Sequence, residues 1–288
     1  MQLYLIDTGY FYADGGAMFG AIPKTSWCRR YKSDEMNSCV LAMRTLVIKD
    51  DDGRVILVDN GAGDKHLKPL GYYRFFGMQD LSEALRAIGI RPEEVTDMVF
   101  THLHFDHCGY TTQQSPDGLR LAFPNATHWV SRTQWENFCQ PHPLEAGSYF
   151  AEDMRPVAEA GRLRLVEEAE AELTPHVRLR LFDGHTPGQI VVACQTPEQL
   201  YLFAGDVIPL AAHVSLEWIS AYDGCPIQSY DAKARLLEEA VAQEAAIIYC
   251  HDAYTPCSKV KRINAFYSKG KAINLPVFSV SSRKESNL

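Results

Sequence analysis

The chain has 288 residues, 46% of them hydrophobic and 22% charged, a composition ordinary for a soluble globular protein and long enough for a large core. No apolar run approaches the roughly eighteen residues of a membrane span, and the opening MQLYLIDTGYFYADGG lacks a basic leader, so a cytoplasmic protein is expected, without membrane partner or export signal. A formal charge of −8 argues against nucleic acid as a partner, and the one weak basic cluster, KVKRINAFYSKGK, reads as a solvated helix face.

Eight cysteines without a C-x-x-C pair exclude zinc-ribbon and thioredoxin-like motifs. They are expected reduced and mostly buried, with Cys108 and Cys250 packing beside histidines of interest. With no low-complexity stretch, long linker or short repeat, residues 1–288 are read as one domain.

In chain order, GGAMFGAIPKTSW comes first, a stretch without clean periodicity that reads as a loop over a site. CVLAMRTLVIKD, the turn DDG and RVILVDNG predict a β-hairpin. The aromatic run GYYRFFGM reads as a second covering loop. QDLSEALRAIGI carries Leu81, Leu85 and Ile88 at helical spacing, and Pro92 and Glu93 open a turn before the buried strand VTDMVF. ATHWVS predicts a strand and RTQWENFC a helix. VRLRLFDGH, QIVVACQT and QLYLFAGD predict three strands, SYDAKARLLEEAVAQ an amphipathic helix, and AAIIYCHD a last buried strand. Strands before and after helices in both halves fit an α/β protein of two packed mixed sheets with helices outside.

Four of these strands end in a His or Asp at the tip: VF-THLHFDH, LFDGH, LFAGD and IIYCHD. Side chains at strand tips on adjoining loops are what a site at one edge of a rigid scaffold requires. In THLHFDH, His102 and His104 share one side of an extended chain because side chains alternate with a period of two. Those two nitrogens can share a cation. Asp106 and His107 lie past the strand, where the chain turns and can reach a second. Assembled by strand tip, His102, His104 and His185 hold one ion, Asp106, His107 and His251 the other, and Asp206 bridges them. Nitrogen and carboxylate ligands suit two divalent ions, zinc first, with iron, manganese or cobalt as alternatives. Taken alone, His185 or His251 fits a hydrogen-bonded core histidine, and Asp206 a turn residue. The cluster at 102–107 resists that account, because burying four such groups unpaired costs several kcal/mol.

H-x-H-x-D-H at His102, His104, Asp106 and His107, with GHTPGQ, AGD and YCHD following in order, resembles the metallo-β-lactamase superfamily over about residues 35–255. The resemblance implies a four-layer αββα sandwich with the metals at one edge. It also implies that Asp59, in LVDNGAG, orients a metal ligand instead of binding metal; as a turn residue before Asn-Gly it fits equally well. The implied chemistry is hydrolysis by a hydroxide held between two cations, which lower the pKa of bound water to around 7. Asp106 would steer that hydroxide and pass a proton to the leaving group.

An aspartate at 206 points toward lactonases, thioesterases, phosphodiesterases and organophosphate hydrolases. Nuclease and flavin-dependent branches need further domains that this length leaves no room for. HLHFDHCG is similar to the HLHFDHAG of N-acyl-homoserine lactonases, the quorum-quenching group, which makes those lactones the expected small-molecule substrate. Pro209 departs from that group, standing where its members carry a substrate-contacting tyrosine; His213 and Tyr222 are candidates to replace it. Phe19, Phe75 and Phe76, in the two aromatic stretches, either line a pocket for an apolar part of the substrate or pack a homodimer. The alternatives are a thioester, phosphoester or organophosphate hydrolase on the same fold, and a metal-bound regulatory protein without turnover.

Overall fold

Apolar runs become strands wherever both of their faces find cover. In chain order the strands are β1 (Gln2–Asp14), β2 (Ser38–Lys49), β3 (Val55–Val58), β4 (Asp97–Val99), β5 (Thr112–Ser115), β6 (Gly118–Leu121), β7 (Thr127–Ser131) and β8 (Leu163–Val166). They continue with β9 (Glu170–Thr174), β10 (Val177–Phe182), β11 (Gln189–Gln195), β12 (Leu200–Phe203), β13 (Ala246–Ile248), β14 (Cys257–Ile263), β15 (Phe266–Ala272) and β16 (Val277–Phe278). Among them run the helices α1 (Gly15–Phe19), α2 (Lys24–Trp27), α3 (Leu81–Ala87), α4 (Phe105–Cys108), α5 (Arg132–Cys139), α6 (Ala151–Glu159) and α7 (Pro226–Ala242). This is a computed structural model that describes residues 1–278; residues 279–288 of the expected single domain lie outside the described residues.

One sheet has the order β16-β1-β2-β3-β4-β7-β8, the other β15-β14-β13-β12-β11-β10-β9, and β5-β6 is a separate hairpin. Both large sheets are mixed: β3, β4, β7 and β8 run parallel, as do β1 with β16 and β12 with β13, among antiparallel neighbours. The register pairs Leu46 with Val58, Val47 with Leu57 and Ile48 with Ile56. Alternation then sends Leu46, Ile48, Ile56 and Val58 toward the second sheet, where they meet Val177, Leu179, Ile190, Val192 and Phe203. Val47 and Leu57 point the other way, onto Leu81 and Leu85 of α3 and Met154 and Val157 of α6. On the far side, Leu236, Leu237 and Ala240 of α7 cover Val191, Leu202 and Ile247. The result is the αββα sandwich. Apolar residues on both faces are why its strands read as continuous hydrophobic runs.

Local signals set the helix starts. The Asp80 carboxylate accepts from Glu83 N at 3.0 Å to cap α3, and Ser131 Oγ accepts from Gln134 N at 3.0 Å to cap α5. Two expectations are corrected. GGAMFGAIPKTSW is not loop throughout: Asp14 caps α1 through Ala17 N, Pro23 precedes α2, and Phe19 and Trp27 are buried core. KVKRINAFYSKGK is not a helix face but the β14–β15 hairpin, with Asn264 at φ 56° in its turn. Val260 and Tyr267 alternate inward onto the α7 side of the second sheet, where the exposed Lys269 and Arg262 pair with them across the hairpin, Arg262 over the Tyr267 ring at 5.5 Å. Lys259, Lys261 and Lys271 take the alternate positions. That is a period of two, not 3.6. No helix among the described residues is long and apolar enough to cross a membrane, and no two cysteines pair among them.

Candidate metal centre

Five strand ends meet at one edge: those of β3 (Asp59), β4 (102–107), β10 (His185), β12 (Asp206) and β13 (His251). His102 Nε2 and His185 Nε2 lie 3.0 and 3.2 Å from His104 Nδ1. Nitrogens sharing one tetrahedral zinc stand about 3.3 Å apart, from Zn–N of about 2.0–2.1 Å. His107 Nε2 and His251 Nε2 approach to 3.1 Å in the same way. Asp206 joins the two sets, with Oδ2 at 3.3 Å from His185 Nε2 and Oδ1 at 3.1 Å from His251 Nε2 and 3.5 Å from His107 Nε2. Asp106 Oδ2 stands 3.5 Å from His251 Nε2 and 3.8 Å from His107 Nε2.

The outward nitrogen of each imidazole fixes its tautomer. His107 Nδ1 donates to Asp59 Oδ2 at 2.7 Å, His185 Nδ1 to Asp223 Oδ1 at 3.0 Å, and His251 Nδ1 to the Ala42 carbonyl at 2.8 Å. His102 Nδ1 lies 3.0 Å from Thr101 Oγ1, whose own proton goes to Asp59 Oδ2 at 2.8 Å. That hydroxyl can therefore only accept from His102. Four imidazoles thus turn a bare Nε2 inward, and His104 alone turns in Nδ1. Asp59 is fully buried at φ 56°, so it is both a turn residue and the acceptor for Thr101 N, Thr101 Oγ1 and His107.

The imidazoles divide around the charged Asp206 carboxylate: against burial, the acidic groups facing His107, His185 and His251 hold those three above the ordinary imidazole range, while burial sets His102 and His104 below it. Burial pushes His102 well below the ordinary imidazole range, and the neighbouring His107 and His104 add to it. Burial opposes ionisation of Asp206, yet the facing His251, His107 and His185 hold its carboxyl well below the usual carboxylate range. Cys250 Sγ falls in the same cluster as His107, Asp206 and His251. Burial drives its thiol upward, and the S–H donates to Asp206 Oδ1 at 3.1 Å, so it serves as a donor to the carboxylate and not as a thiolate ligand.

A sequence profile for the metallo-β-lactamase superfamily matches residues 44–111. A Staphylococcus aureus protein described as a probable metal-dependent hydrolase has a similar structure, with a TM-score of 0.84 and 25% identity over 95% of this chain and 98% of that one. The matched segment and the αββα fold together make the chain similar to the metallo-β-lactamase superfamily. Among curated relatives, the N-acyl homoserine lactonase of Bacillus cereus is 24% identical over 170 residues, 57% of this chain and 58% of the relative's length. The chain therefore aligns with little more than half of that lactonase's length. AidC, a dizinc quorum-quenching lactonase solved with a product bound, shares the fold at a TM-score of 0.75 and 17% identity over 94% of this chain and 95% of its own.

The ligand edge opens into a cavity of about 280 Å³. Phe11, Met18, Leu41, Tyr73 and Phe105 make its apolar lining; Asp106, Glu145, Asp206 and Asp223 are its carboxylates, and among the described residues no lysine or arginine lines it. Tyr222 and Pro209 also line it. Phe19 and His213 do not: they stack on each other at 5.1 Å, fully buried, and His213 Nε2 donates to the Met18 carbonyl at 2.8 Å. They hold Met18 from behind. Phe75 sits one layer back, against Phe11 and Phe105 at 6.0 and 6.2 Å. Phe76 faces away, stacked on Tyr10 at 5.4 Å, because its backbone pairs with Tyr10 as a strand would and successive side chains then part.

Sequence reading missed Glu145, Asp223, Thr101 and the Ala42 carbonyl, the partners just beyond the ligands. Asp223 lies in a Tyr-Asp-Gly stretch that signals only a turn, 38 residues from the histidine it orients. No local pattern marks any of these four.

Proposed function

We propose that this protein is a dinuclear metal-dependent hydrolase that opens neutral ester bonds, N-acyl-homoserine lactones foremost. One observation carries the reading: five imidazoles present lone pairs inward around the Asp206 carboxylate. Such convergence has no packing rationale and fits two divalent ions, zinc by its nitrogen-rich donors. His102, His104 and His185 would hold one, His107, His251 and Asp106 the other, and Asp206 both. Bound there, the ions would supply a nucleophilic water at neutral pH and polarise the carbonyl.

The chain's own residues do the remainder. Asp106 lines the cavity beside His251 and His107, where its carboxylate can orient the attacking water and move a proton to the leaving oxygen. The apolar lining takes up an acyl chain. Four carboxylates, with no cationic side chain among the described residues of the lining, repel a phosphomonoester or diester, which favours a neutral substrate. Thioesters and phosphotriesters are also neutral, and Pro209 at the cavity leaves them as the second reading.

Proton release on adding short- and long-chain acyl-homoserine lactones to zinc- or cobalt-loaded protein tests this, beside Asp106→Asn. The expected result is fast release, reduced roughly 10²–10⁴-fold in kcat by the variant when compared at equal metal content, since Asp106 is also a ligand. Near-normal turnover by that variant would remove Asp106 from its role. No release from protein holding both metals would remove the lactone assignment, and a thioester and phosphotriester panel would then decide the second reading.

A further inference from the structure

Four of the five histidines at the centre have the outward nitrogen in a hydrogen bond to Asp59, Thr101, Asp223 or the Ala42 carbonyl. His104 is the exception twice over. It turns Nδ1 inward where the others turn Nε2, and its Nε2 is buried with no hydrogen-bond partner among the described residues. A neutral imidazole that offers a lone pair from Nδ1 must carry its proton on Nε2. A buried N–H without an acceptor is destabilising. The acceptor facing it is Glu145 Oε2, at 3.5 Å.

Glu145 is held for that purpose from outside the site. Asn137 Nδ2, on α5, donates to its Oε1 at 2.9 Å, and the Tyr149 hydroxyl lies 3.1 Å from its Oε2. The same hydroxyl is 3.1 Å from Gln134 Oε1. Its single proton serves one of the two oxygens at a time, so Glu145 Oε2 keeps capacity for a second donor. Gln134 in turn donates to the Pro187 carbonyl at 2.8 Å and to Thr186, the residue after His185. One network thus reaches both histidine loops that frame the same cation position.

We propose that Glu145 is a positioning residue for the metal centre: its carboxylate takes the Nε2–H of His104, selects the tautomer that leaves Nδ1 bare, and so completes the site made by His102, His104 and His185. The inference rests on the metal-binding reading above. It also assigns the 140–150 segment a role in metal retention, since Glu145 comes from the connection between α5 and α6 and from none of the strand tips.

Zinc titration against a chromophoric chelator tests it with wild type, Glu145→Ala and Glu145→Gln, each also melted free of metal. Wild type holding two equivalents is the control; if it holds none, the metal reading itself fails and the variants need not be compared. For Glu145→Ala the expected result is one equivalent bound roughly 10–100-fold more weakly, the other as in wild type, and a metal-free melting temperature within about 2 °C of wild type. Glu145→Gln, whose amide oxygen still accepts a hydrogen bond, recovers part of the loss. Unchanged binding of both equivalents overturns the proposal. So does equal weakening of both, or a loss that merely follows a lowered metal-free melting temperature, because each of these is what a general structural role gives.

Discussion

A buried imidazole that must stay neutral makes stability depend on pH, and His213 is such a group. It stacks on Phe19, donates from Nε2 to the Met18 carbonyl, and has Nδ1 buried without a partner among the described residues. Burial first, then the nearby Lys233 ammonium, lowers its pKa from 6.5 to about 4, against smaller opposing pulls from the Met18 carbonyl, Asp223 and Asp206. Lys233, lowered by burial to about 7, gains its own charge as pH falls, which adds to the repulsion. Between pH 6.5 and 4 the unfolded chain binds a proton at this position that the folded chain refuses, so stability rises with pH across that window and is lost as pH falls through it. From pH 7 to pH 5 the loss is of the order of 2 kcal/mol. Acid also loosens the ligand histidines, so the test compares wild type with His213→Gln, both stripped of metal. Urea unfolding of the variant should show a smaller fall between the two pH values by about that amount. Equal falls in both proteins would show that His213 does not titrate as its surroundings require. The same residue shows the limit of sequence reading at this scale. A histidine eight residues past Gly205 can equally line the cavity or stand behind its wall. Only the stacked Phe19–His213 pair, contributed by segments far apart in the chain, decides it.

At the scale of elements, α7 shows what a strong periodic signal delivers. Its apolar residues fall on one side, and Leu236, Leu237 and Ala240 close over Val191, Leu202 and Ile247 on the outer face of the second sheet. None of these lines the cavity. Leu237→Ala should therefore cost about 2–5 kcal/mol through lost burial and a residual void, with KM and metal stoichiometry unchanged in the protein that remains folded. Urea unfolding beside steady-state kinetics separates the two effects, and a shifted KM would tie α7 to the site. Elements of this kind, with the buried strands and the His or Asp at their tips, were legible because burial on both faces leaves a long unmixed signal. The β14–β15 hairpin was not, because its stretch 259–271 turns only Val260 and Tyr267 onto the core among charged neighbours, and a sparse pattern fits either period. The short helices α1 and α2 were missed for a related reason: four or five residues are too few to show a helical repeat. For the site, the ligands were legible because they crowd one motif and three strand ends. Their hydrogen-bond acceptors were not, because Glu145 and Asp223 reach histidines 41 and 38 residues away through the fold alone.

Across the whole molecule, the metal centre is also a joint between the two sheets. Asp59 and residues 102–107 hang from β3 and β4 of one sheet, while His185, Asp206 and His251 hang from β10, β12 and β13 of the other. Bound ions would tie those two sets together, adding to a connection that the protein makes for itself. Arg44 of β2, buried, pairs through Nε with Asp7 Oδ1 at 2.7 Å and donates from Nη1 to the Tyr249 and Asp252 carbonyls at 2.6 and 2.9 Å, on either side of His251. Together with the apolar layer between the sheets, that clamp keeps the sandwich closed whether or not metal is present. Chelation should therefore lower the melting temperature without unfolding the protein. An ion at 100 times its dissociation constant adds about 2.7 kcal/mol, which at about 2–4 °C per kcal/mol for a chain of this size is roughly 5–10 °C for each ion lost. Calorimetry before and after dialysis against chelator, with metal content measured on the same samples, reads this directly. Two separable steps in melting temperature as the two equivalents leave would mean that each ion braces the sheets on its own. A single step on loss of either would mean that Asp206, touching both sets, makes them one unit. Full metal loss with no change in melting temperature would show that the joint is carried by Arg44 and the core alone, leaving the ions a purely chemical part.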